Sequence, residues 1–66
     1  MDGISWTDLD LDEQRAIAML ADGVSAELCD PVAVLTLKRI GFINGSRLTL
    51  QAEQMLAAAV RRAFVA

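Results

Sequence analysis

Five cations in the second half of the chain are the side chains most suited to a charged ligand: Lys38, Arg39, Arg47, Arg61 and Arg62. Set against the single acid Glu53, they give residues 31–66 a net charge of +4. Residues 1–30 set eight acids against Arg15, a net charge of −7, so the whole chain carries −3. A basic half of this kind contacts phosphates rather than bases. The competing expectation is that the same residues form a solvated face balancing the acidic half, or dock one copy head to tail on another.

Other chemistry finds little to work with. The chain has no His and no Tyr, so the usual proton-transfer groups are missing, and no enzyme activity is expected. Cys29 stands alone, between Glu27 and Asp30, where an activated thiolate needs neighbouring cations. One cysteine forms no internal disulfide and no zinc motif, and a small buried hydrophobe is its expected role. The cluster Asp8, Asp10, Asp12 and Glu13 lacks the central Gly and closing Glu of a calcium loop. Gly23, Gly41 and Gly45 are dispersed turn residues rather than a phosphate cradle. Neither a cofactor, a metal nor a small-molecule substrate is expected.

The elements that must position these residues are legible from caps and periodicity. Residues 1–8 read as an arm anchored by Trp6, and residues 9–66 as one domain. Asp10 and Glu13 form a capping box for a helix from Leu11 to about Asp22, stopped by Gly23. Ile17, Leu20 and Ala21, with Ala16 or Met19, form its apolar face. Val24 is placed for a one-residue bridge to a hairpin, and Ser25 caps one short turn over residues 26–29. Asp30-Pro31 opens the next helix, in which Val34, Leu37 and Ile40 or Gly41 face inward. Its outer side carries Val32, Leu35, Thr36 and Arg39, with Lys38 near the edge.

After Gly41, the segment Phe42–Leu48 reads as a hairpin with Asn44-Gly45 as its two central residues. That choice requires positive φ at both and sets Ile43 opposite Ser46 and Phe42 opposite Arg47. Thr49 caps the last helix, on which Ala52, Met55, Leu56, Ala59, Val60, Ala63 and Phe64 share one side. The expected fold is therefore mainly α with a small β-hairpin, a winged-helix-like domain of three to four helices. A helical bundle in which Asn44-Gly45 is a plain loop is the alternative.

The fragments Leu37-Lys-Arg-Ile-Gly-Phe-Ile43 and Arg47-Leu-Thr-Leu-Gln-Ala-Glu-Gln-Met-Leu56 resemble the winged helix-turn-helix regulators of bacteria. In that family the recognition helix ends in Leu-x-x-x-Gly-(Leu/Phe)-(Ile/Val), and a short wing leads into a Leu-Thr-initiated helix. Ala52 stands where the family often has Gly, and Leu11–Leu20 is similar to the family's first helix. The resemblance covers most of residues 9–60 and implies DNA binding. Against that implication, the family's second helix is cut to about one turn at residues 25–29. That segment also places Glu27 and Asp30 where phosphates would lie.

A hydrophobic fraction of 55% is high for 66 residues, near the size at which one core only just outweighs chain entropy. Some of that surface is expected to meet a protein partner or a second copy, through Trp6, Val32, Leu35, Met55 and Phe64. The competing role for these residues is ordinary core. An interaction module is the first expectation, and a DNA-binding regulator the second. The acidic N-terminus is unlike a leader peptide and no apolar run approaches a membrane span, so a cytoplasmic setting without a membrane partner is expected.

Overall fold

In the computed structural model, which describes residues 4–65, three α-helices enclose a small core with a two-stranded antiparallel hairpin at one edge. The part of the expected arm at residues 1–3 lies outside the described residues. A 3-10 turn at Trp6–Asp8 leads into α1 (Leu11–Ala21), and a second 3-10 turn at Ala26–Leu28 leads into α2 (Pro31–Arg39). The hairpin β1 (Ile43–Asn44) and β2 (Arg47–Leu48) then hands the chain to α3 (Leu50–Val65). The fold is mainly helical with a small hairpin.

Each helix starts where the sequence supplies an acceptor for its orphan amides. The Glu13 amide donates to Asp10 Oδ1 at 2.9 Å, and the Asp10 amide donates back to Glu13 Oε1 at 3.0 Å. Ahead of α2 the Ala33 amide donates to Asp30 Oδ2 at 3.0 Å, with Pro31 in the first position. The Ala52 amide donates to Thr49 Oγ1 at 3.4 Å. Ser25 Oγ accepts from the Glu27 amide, which opens the second 3-10 turn. Gly23 at φ +93° and Gly41 at φ +89° take the left-handed conformation that ends α1 and α2.

Ile17, Leu37 and Phe42 are the largest fully buried side chains, packed with Leu9, Ala16, Cys29, Ala33, Val34, Ile43 and Ala52. Trp6, Met19, Leu20, Ile40, Leu48, Met55 and Leu56 close the rim of this cluster. Leu9 and Ala33 join the core beyond the expected faces, Thr36 is half-buried rather than outward, and Ala21 is exposed. Val24 makes no bridge to the hairpin; its amide donates to the Met19 carbonyl at 3.0 Å, wrapping it onto the end of α1.

The hairpin turns one residue later than expected, which moves each cross-strand partner by two residues. Ile43 pairs with Leu48 and Asn44 with Arg47, so Gly45 and Ser46 are the central turn residues. Gly45 has φ +69°, while no non-glycine among the described residues has positive φ. Positive φ at the first central position alone is the pattern of a type II′ turn, not the type I′ turn that Asn-Gly favours. The reason lies in burial: this register sets buried Ile43 against half-buried Leu48, whereas the other would oppose Ile43 with Ser46. Gly45→Ala is therefore expected to cost about 1 kcal/mol or more, the penalty of a Cβ at positive φ. Asn44→Ala is expected to stay within about 0.5 kcal/mol. Urea midpoints of the two variants check this, and a larger loss at Asn44 would restore the other register.

Two bonds from Ser5 to one carboxylate oxygen fasten the N-terminal turn. The Ser5 amide donates to Asp8 Oδ2 at 2.9 Å, and Ser5 Oγ donates to the same oxygen at 3.0 Å. These two bonds, the backbone one foremost, hold the Asp8 carboxyl below its ordinary value. A depressed carboxyl contributes stability above its unfolded value of 3.8, and that contribution is lost as pH falls through the lower folded value. Because Trp6 occupies this turn and is the only tryptophan, its fluorescence is expected to shift on acidification below about pH 4. In Asp8→Asn that local transition should be absent; an unaltered titration in the variant would detach it from Asp8.

Candidate functional site

The side chains left outside the core define what the surface offers a ligand. On α2 the turn-to-turn geometry puts Ala33, Val34 and Leu37 inward, which forces Val32 and Leu35 outward. They are 69% and 53% exposed, and Leu28 on the preceding 3-10 turn is exposed beside them in sequence. A groove of about 490 Å³ runs along this region, lined by Ala26, Glu27, Cys29, Val34, Leu35 and Lys38. Cys29 is buried there, and its thiol lies 3.8 Å from the Ser25 carbonyl oxygen, in hydrogen-bond range for sulfur. It behaves as a small apolar wall rather than a displayed nucleophile.

Helix α3 presents the second surface. Ala52 is fully buried and Met55, Leu56 and Ala59 are half-buried, so this side faces the body. From Val60 to Phe64 every side chain is exposed, because the helix runs past the end of the core. Val60, Ala63 and Phe64, expected to share one side with Ala52, Met55, Leu56 and Ala59, are thus solvent-facing; Ala63 alone continues the inner line, while Phe64, at 85% exposure, turns to the outer face. Leu50, on the same outer face as Phe64, is 67% exposed in the first turn. Between the end of α1 and α3 an apolar groove is lined by Ala21, Leu56, Ala57 and Val60, with Glu53 and Arg61 at its margin.

Three of the basic side chains, Lys38, Arg47 and Arg61, line three different grooves. Lys38, Arg39, Arg47, Arg61 and Arg62 are all exposed. Lys38 lines the α2 groove together with Glu27. Arg47 lines another, between β2 and the loop after α1, together with Glu53. Arg61 lines the α1–α3 groove, again with Glu53. Each of these three cations thus shares its groove with a carboxylate, which offsets part of its field there.

Of the residues expected to meet a protein, Val32, Leu35 and Phe64 are free at the surface, while Trp6 and Met55 pack against the core. Trp6 also offers its backbone carbonyl to Gln14 Nε2 at 2.9 Å, which ties the N-terminal turn to α1. Leu28 and Leu50 were not singled out by sequence reasoning. The signal for Leu50 was present, since it lies one residue past the Thr49 cap and off the stripe of Ala52, Met55 and Ala59. Leu28 lies in a single helical turn, too short to carry a period.

The acids have structural partners of their own: Asp8, Asp10, Glu13 and Asp30 each accept an amide at the start of a helical segment. Among the described residues no group of three or more His, Cys, Asp or Glu side chains is placed to hold a metal ion. Nor, among them, is any helix long and apolar enough to cross a membrane. No family model matches the chain, and neither does any curated protein or solved structure.

The contrast between the two sides of α2 has a direct consequence. Leu37→Ala opens the core and is expected to cost about 2–5 kcal/mol. Leu35→Ala, at the exposed face, is expected to cost about 0.5 kcal/mol or less. Thermal unfolding of both variants checks the assignment, and equal losses would mean that Leu35 is core.

Proposed function

We propose that this chain is a non-enzymatic interaction module that binds protein through exposed helix faces. The observation that carries the reading is the pattern of exposure: with the core occupied, Val32 and Leu35 on α2 and Leu50 and Phe64 on α3 remain in water. Exposed aliphatic and aromatic groups on rigid helices gain free energy by burial against a partner. The order α2, hairpin, α3 supports a winged-helix-like body, in which the hairpin is the wing and α2 occupies the place of the reading helix.

DNA binding is the second reading, and the excess of positive charge in residues 31–66 is what favours it. Two features weigh against it. The helix that should cross the DNA backbone ahead of α2 is only the three-residue 3-10 turn Ala26–Leu28, closely followed by the capping carboxylate of Asp30. The outward face of α2 offers Val32 and Leu35 where base-edge readers are polar.

A titration of the chain with mixed-sequence duplex DNA at low and moderate salt, followed by amide shifts, separates the readings. Unchanged spectra at both salts are expected. Shifts at Lys38, Arg39 and Arg47 that fade steeply with salt would overturn the protein-binding reading in favour of phosphate contact.

A further inference from the structure

We propose that α3 pairs antiparallel with α3 of a second copy of this chain, about a two-fold axis passing beside Ala57. This rests on the interaction-module reading and names the partner.

The inference comes from the order of residues on the exposed face of α3. Ala52, Met55 and Ala59 mark the inner side, so Leu50, Glu53, Ala57, Arg61 and Phe64 fall on the outer one, all exposed, with Glu53, Ala57 and Arg61 bordering the groove beside Ala21 of α1. Their spacing is three, four, four and three residues, which is the same read in either direction. Two such helices laid antiparallel about Ala57 therefore bring Leu50 of each against Phe64 of the other. The same operation brings each Glu53 against the other copy's Arg61. Such self-complementarity is what a two-fold interface requires.

Charge selects this arrangement over its alternative. A parallel pair would set Glu53 beside Glu53 and Arg61 beside Arg61, two like-charge contacts, and would align the helix dipoles unfavourably. In the antiparallel pair both contacts are attractive. Exposed ion pairs add little affinity, so their part is to fix direction and register, while burial of Leu50 and Phe64 supplies the driving force. Ala57 at the axis has a short side chain that lets the two backbones approach closely. A helix of 16 residues spans about 24 Å, so the contact is modest in area and the dimer forms in a concentration-dependent way.

Sedimentation equilibrium of the full chain over rising concentration tests the pairing. The mean mass is expected to climb from 7.1 kDa towards twice that value. Glu53→Arg and Arg61→Glu are each expected to hold the chain at monomer mass, because each turns both ion pairs repulsive. An equimolar mixture of the two variants, and the double variant carrying both changes, are expected to regain the dimer. A mixed-isotope sample of the unaltered chain adds a test that needs no substitution, with intermolecular NOEs expected from the Leu50 methyls to the Phe64 ring. A wild-type chain that stays monomeric, variants that dimerise as well as wild type, or a dimer without those NOEs would each overturn the pairing. If the monomeric chain leaves duplex DNA untouched, only this inference fails. Salt-dependent DNA binding through Lys38, Arg39 and Arg47 overturns the broader reading instead.

Discussion

The closure of the chain around Phe42 is the constraint on which the rest of the structure depends. Phe42 is fully buried, and its backbone is fixed from both sides: its amide donates to the Leu37 carbonyl at 2.8 Å, and its carbonyl accepts from the Thr49 amide at 3.0 Å. The Thr49 hydroxyl adds a bond to the Gly41 carbonyl at 3.0 Å while also accepting from the Ala52 amide. One short segment thus terminates α2, clamps the base of the hairpin and starts α3. A fold of this size has few buried groups over which to spread such a task. The direction in which α3 leaves the body, and hence which of its faces meets water, follows from this clamp.

Packing near that clamp is close because several of the buried positions are small. Ala16 on α1, Ala33 on α2 and Ala52 on α3 are almost completely buried, which lets α2 and α3 each pack closely on α1. A tight core of small residues has no room for all the large aliphatics in the chain. Leu11, Leu28, Val32, Leu35, Leu50 and Phe64 remain outside. The high hydrophobic fraction is therefore divided between an interior held by a few large side chains and an exterior that keeps several large aliphatic and aromatic ones. The functional reading grows from this division rather than from any reactive group.

Charge behaves differently in sequence and in space. Along the chain the acids and bases separate almost completely at residue 30, a pattern that suggests one acidic face and one basic face. Folding undoes that separation in part, because Glu27 of the acidic half meets the groove of Lys38; within the basic half, Glu53 borders the grooves of both Arg47 and Arg61. Several of the acids are also engaged locally, capping the helical segments that start at Trp6, Leu11 and Pro31. What looked like a reservoir of field is, in the folded chain, a set of local contacts with backbone amides.

The helices and their starts were determined by the sequence itself. Asp10 with Glu13, Asp30 with Pro31, and Thr49 act on amides within four residues, so their effect needs no tertiary context. Gly23 and Gly41 likewise act alone, through their own φ. The existence of a hairpin was equally local, since Gly45 sits between two apolar runs. Its register was not, because the choice between Asn44-Gly45 and Gly45-Ser46 turns on whether Leu48 can reach the core, and that depends on where α1 and α3 lie. The same holds for the end of α3: periodicity carries the stripe of Ala52, Met55 and Ala59 on to Ala63, but the core stops before it arrives. Period tells which residues share a face; only the packed neighbours decide whether anything covers it.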